Sequence, residues 1–192
     1  MRIRTPRLIR GRLSPRAAAG ALTLLAGGLT AAGLATAGPA SAAPVDIDCP
    51  VGTITSTFSP PLTNTTRPVT TSISEHFDCT SVLGDISSGT RTSSHTTNTS
   101  CLLAAQPPTT PEVNTYTWNT GQTSTMTYVS DTAVRAADGT VTVTKVGSVT
   151  SGLGAGEAAT AVIEQPSLSL TACATTGVSS QTGTSTLEIA PA

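Results

Sequence analysis

The chain has 192 residues, 38% of them hydrophobic but only 3% aromatic, and a formal charge of −1. That charge hides an asymmetry. Arg2, Arg4, Arg7, Arg10, Arg12 and Arg16 crowd the start, while all eleven acids come later. From Ala43 onward only Arg67, Arg91, Arg135 and Lys145 face those eleven acids, a net of −7 that excludes a basic nucleic-acid or anionic-membrane surface.

The basic start is followed by the uncharged, Ala- and Leu-rich stretch 17–37 and then by Ala40-Ser41-Ala42. A basic segment, an apolar segment and a small-x-small site make a secretory signal peptide. Cleavage is expected after Ala42, because a later cut would place Pro44 directly behind it. The glycines of the apolar run weaken a retained anchor, and the absence of an adjacent Arg pair gives no twin-arginine signal. The expected organisation is a signal peptide over 1–42 and a single secreted β-domain over 43–192, released outside the cell with no membrane contact after cleavage.

Cys49, Cys79, Cys101 and Cys173 all lie in that domain. An even count in an exported chain reads as two disulfides. No pair has zinc-knuckle spacing, so no metal and no cofactor is expected. Thr and Ser make up about a third of residues 43–192. The Thr residues alternate with apolar ones, as on half-exposed strands, and do not cluster with Pro as in a disordered tract.

In chain order, 51–58 reads as a strand ended by Ser59-Pro60-Pro61. Asp46 and Asp48 before it read as a solvated tail, with too few oxygen ligands nearby for calcium. Segment 69–79 alternates most clearly, with Val69, Thr71, Ile73, Glu75, Phe77 and Cys79 on one face. Glu75 breaks that face, so its end is expected to be exposed. Segment 90–102 reads as a polar edge strand, and 106–111, with three prolines, as a connector.

Tyr116 and Trp118 then share one strand face. Asn119-Thr120-Gly121 marks a hairpin or a bulge, and Met126, Tyr128 and Val134 read as in phase beyond it. Ala137-Asp138-Gly139 is a hairpin signal. The apolar phase breaks around Lys145-Val146-Gly147, which suggests a bulge there. Glycine-rich 151–156 lacks the ending of a phosphate loop and reads as a turn. Strands follow over 159–163, over 168–173 up to Cys173, and over 184–189.

This pattern predicts an all-β domain: an antiparallel β-sandwich of about eight or nine short strands, or alternatively a closed antiparallel β-barrel. A meander would bring Cys49 to Cys79 and leave Cys101 for Cys173.

Cys101, Trp118 and Cys173 resemble the Cys–Trp–Cys order of immunoglobulin domains. Over 118–124, 147–152 and 182–187 the chain is similar to small Thr-rich secreted actinobacterial β-domain proteins, a resemblance that implies export and carries no catalytic residue.

Chemistry is sparse. There is no G-x-S-x-G elbow. A hairpin centred between Asp85 and Ile86 would place His76 opposite His95, where the pair could hold a metal or serve a small hydrolase. Tyr116, Trp118 and Tyr128 are the candidate ligand-binding residues, as a stacking platform for sugars; burial of Trp118 in the core is the competing expectation. Thr-x-Thr runs at 53–57, 123–127, 140–144 and 182–186 have no repeat that would force them to align. The expected function is a non-enzymatic extracellular binding module for a protein or polysaccharide. The alternatives are a hydrolase using His76 or His95, and a protease inhibitor presenting segment 101–111.

Overall fold

The computed structural model describes residues 46–82, 85–105 and 110–192. The expected leader and cleavage site lie outside the described residues, as do Gly84 and most of the proline connector.

Eight strands form one antiparallel sheet that closes on itself: β1 (Ile47–Leu62), β2 (Arg67–Ser81), β3 (Ser88–Thr99), β4 (Glu112–Trp118), β5 (Thr123–Arg135), β6 (Val141–Gly152), β7 (Ala158–Gln165) and β8 (Val178–Ala190). Each strand pairs with the next, and β8 returns to β1, so the fold is a barrel and not a sandwich. Closure satisfies the backbone groups that two packed sheets would leave at their edges. A 3₁₀ turn (Leu103–Ala105) follows β3, and a short helix α1 (Leu170–Ala174) precedes β8.

Alternation sets the inside and outside. On β2, Val69, Glu75, Phe77 and Cys79 are buried while Ser72, Ser74, His76 and Asp78 are exposed. Outward hydroxyls line up across strands: Thr70 with Thr96 at 2.9 Å, Ser72 with Ser94 at 3.1 Å and Thr115 with Thr125 at 3.1 Å. Thr-x-Thr runs are therefore the outer face of an inside-apolar barrel.

The core has two poles. At one, Ile47, Phe77, Trp118, Leu187 and Ile189 pack around the Cys49–Cys79 bridge. At the other, Phe58, Leu62 and Val69 pack with Cys101, Leu168 and Val178. The Cys101–Cys173 bridge ties the 3₁₀ turn to α1 there. Trp118 belongs to the first pole and Cys101 to the second, so the immunoglobulin-like order has no immunoglobulin-like packing behind it.

Several local expectations change. β1 begins at Ile47, and Asp48 pairs with both Thr80 and Glu188, so it is a strand residue and not a tail. The prolines of β1 sit inside the gaps in the β1–β8 ladder, Pro50 between Cys49 and Gly52 and Pro60 and Pro61 between Thr57 and Leu62, where no donor is required. The segment read as a strand up to Cys173 is helix α1: Ser169 caps it by accepting from the Ala172 N–H at 3.2 Å. Gly177, at φ +83°, ends it by donating to the Ala172 carbonyl.

The phase break is on the neighbouring strand. Tyr128 pairs with Gly147 and Ser130 with Val146, leaving Val129 as an extra residue on β5. Beyond it the inward set switches parity, so Val134 is exposed and not in phase with Tyr128. On β6 the phase continues through Lys145, which points inward and is buried. A Cβ on Gly147 would come within 2.0 Å of the Thr127 carbonyl oxygen, so the bulge needs glycine opposite it.

Replacing Cys101 and Cys173 together with Ser should cost about 2–4 kcal/mol in urea unfolding. The near-UV signal of Trp118 should survive in the folded fraction, because that ring packs at the other pole.

Candidate functional site

The site begins where β3 and β4 part. Their ladder consists of Gly89↔Trp118 and Thr90↔Thr117. Below it, β3 stays paired with β2 as far as Thr99, and β4 with β5 as far as Glu112. Side chains span the seam. Arg91 of β3 donates from Nη1 to Asn114 Oδ1 at 2.5 Å and stands 3.8 Å from Glu112 Oε1, both on β4.

Glu75, Arg91, Asn114 and Lys145 are all buried, and Glu112 is mostly so. Arg91 Nε donates to Glu75 Oε2 at 2.5 Å, Asn114 Nδ2 to Glu112 Oε1 at 3.0 Å, and Lys145 Nζ to Glu112 Oε2 at 2.6 Å. Two of the four cations expected in the mature chain are thus inside the barrel. Asp131, paired in register with Lys145, joins them with both carboxylate oxygens shielded and no hydrogen-bond partner.

Burial opposes charge on these groups, and their partners reverse it. For Arg91 the pull of Glu75 overcomes burial and raises its pKa. For Glu112 burial works upward, yet Lys145, Asn114 and Arg91 hold its carboxyl below the usual carboxylate value. Asp131 is raised by burial, against the pull of Lys145 and with a further push from Glu112.

The aromatics sit on the closed side of this cluster. Tyr116, Trp118 and Tyr128 are 2%, 2% and 0% exposed, so the sugar platform has no open ring face. Trp118 donates from Nε1 to Ser124 Oγ at 2.8 Å, which satisfies its polar edge. Arg91 lies 5.9 Å from the Tyr116 ring centroid and Lys145 5.8 Å from that of Tyr128. The two phenols bond to each other at 3.2 Å, and burial pushes both well above their ordinary pKa.

On the open side is a hollow of about 510 Å³. Its wall combines an apolar patch, Ile54, Phe58, Ile73, Val143 and Ile163, with polar residues such as Ser56, Thr97 and Asn98, and it also meets Arg91, Glu112 and Lys145. A second hollow of about 650 Å³ adjoins it at the disulfide pole, sharing Ala104, Val141, Gln165 and Gln181. Leu102 and Leu170 line that outer hollow and are 77% and 85% exposed. Eight strands enclose an interior that side chains just fill or that holds one small ligand. Here the residues are too small to fill it.

The histidines do not meet. His76 pairs with Thr90, and His95 with Thr71. The expected register is off by an odd number of residues, so the two rings fall on opposite faces. His76 points outward, 3.6 Å from Asp78, and His95 lines the inner hollow. Among the described residues no group of three or more His, Cys, Asp or Glu could hold a metal ion.

The charged cluster had a sequence signal that went unused. Glu75, Arg91, Asn114 and Lys145 each fall in phase with inward-facing residues of their own strand. Reading Glu75 as an exposed end and Lys145 as a bulge explained the signal away.

No family model matches the chain, and neither a curated protein nor a solved structure matches it.

Glu75→Gln should destabilise by about 3–5 kcal/mol in urea unfolding, because Arg91 is left buried without its anion. Adding Arg91→Met should recover part of that loss. A carboxyl with a lowered folded pKa contributes stability above its unfolded value of about 4.3, and that contribution disappears as pH falls through the folded value. Between pH 7 and pH 3 the urea midpoint of Glu112→Gln should therefore fall less than that of the parent protein.

Proposed function

We propose that this protein is an exported, non-enzymatic binding barrel that holds one small molecule in its lumen. The observation that carries the reading is the hollow of about 510 Å³ bounded by a patch of Ile, Val and Phe side chains and by the buried Arg91–Glu112–Lys145 cluster. Burying charges against an unfilled apolar space costs stability. Sites that combine an apolar cavity with a few convergent polar groups are the usual form of a small-molecule site.

One further observation supports export: the disulfides fit an oxidising compartment. The outward Thr and Ser ladders also differ from the apolar outer band of a membrane barrel. A small hydrolase is the second reading, favoured by the place of His95 on the wall of the hollow. Hydrolysis of an ester panel that persists in His95→Ala removes it.

The lumen reading is tested with Nile red, an uncharged apolar dye. The oxidised domain should bind it in a one-to-one complex with blue-shifted emission. Ile163→Phe and Ser56→Phe, which fill the hollow, should weaken binding at least tenfold with the near-UV signal of Trp118 unchanged. No binding by the parent protein, or unchanged binding by both folded variants, overturns the reading.

A further inference from the structure

We infer that the lumen selects an apolar molecule carrying an uncharged hydrogen-bond acceptor, such as a ketone, ester or lactone carbonyl, and seats that oxygen on Lys145 and Arg91. The inference rests on the lumen-binding reading and adds to it the chemistry of the ligand's head.

Two constraints meet at the cluster. The first is a surplus of donors. A guanidinium and an ammonium have only N–H donors and no acceptor. Arg91 and Lys145 spend theirs on Glu75 Oε2, Asn114 Oδ1 and Glu112 Oε2. The Arg91 and Lys145 side chains are 3% and 7% exposed, so bulk water does not take up the donors that remain. Both residues line the hollow, and a molecule within it is the available acceptor.

The second constraint is charge. The acids gathered there are Glu75, Glu112 and Asp131, against Arg91 and Lys145. Acids already outnumber cations. A carboxylate or phosphate head would add negative charge at low dielectric, where repulsion is weakly screened. A cationic head would meet a lining carboxylate, Glu112, that already accepts from Asn114 and Lys145, and would compete with Lys145 for it; the oxygens of Asp131 do not line the hollow. A neutral acceptor satisfies both constraints.

The rest of the molecule follows from the wall. Ile54, Phe58, Ile73, Val143 and Ile163 form an apolar patch among polar residues such as Ser56, Thr97 and Asn98, and that patch seats the hydrocarbon part of the molecule. The adjoining hollow at the disulfide pole, with Leu102, Leu168 and Leu170, extends the apolar path outward.

The test compares three ligands of one chain length: 2-decanone, decanoate and decylamine at pH 7, by isothermal titration. The ketone should bind one-to-one and at least tenfold more tightly than either ion. With a ¹³C-labelled carbonyl, its infrared stretch should lie at lower wavenumber when bound than in hexane. Lys145→Met should weaken the ketone about tenfold and return the stretch toward its hexane value. Equal affinities, or tighter binding of either ion, overturn the neutral-acceptor assignment while leaving the lumen as a binding site. An unshifted stretch in the bound parent protein overturns it too, even where Lys145→Met does not fold. Binding of none of the three, together with failure of Nile red, removes the lumen reading itself.

Discussion

The barrel depends on a substitution of side chains for backbone at the β3–β4 seam. The ladder there ends after Gly89↔Trp118 and Thr90↔Thr117. Beyond it the wall is carried by Arg91, which reaches Asn114 and Glu112 across the seam and Glu75 within its own half. An ion pair in low dielectric is strong only when desolvation is offset by further hydrogen bonds. Asn114 and Lys145 supply those bonds by fixing both oxygens of Glu112. Removing any one member leaves a charge or dipole buried without a partner, so the network acts as a unit.

The same cluster separates a filled pole from a hollow one. Phe77, Tyr116, Trp118 and Tyr128, four of the five aromatic residues, lie with the closed-pole core. Trp118 fits because Gly89 faces it: a Cβ at that position would come within 2.6 Å of the indole. Below the charges the inward residues are mostly Ile, Val, Ser and Thr, with Phe58 the one aromatic among them, and they leave a hollow inside the eight strands. The lumen is therefore a consequence of where the chain places its few large side chains.

The disulfides divide the same way. Cys49–Cys79 staples β1 to β2 at the filled pole. Cys101–Cys173 braces the elements around the hollow one. Where aromatic burial is scarce, covalent links offset part of the missing hydrophobic stabilisation. The brace also keeps Leu102 and Leu170 beside the outer hollow, despite their exposure.

Much of this architecture was legible in the residues. Period-two alternation in β2, the Asp138-Gly139 turn and the even cysteine count determine an all-β, cross-linked domain, because they act over a few residues and need no distant partner. The meander alone implies the bridges Cys49–Cys79 and Cys101–Cys173. Register was not legible. The expected β2–β3 register is five residues off, an odd shift that moves His95 to the other face, and the bulge at Val129 changes which β5 residues look inward. Closure into a barrel was likewise decided by tertiary pairing of β8 with β1. So was the site: Glu75, Arg91, Glu112 and Lys145 come from four strands, and each looks like a flaw in its own pattern until the charges are seen to meet.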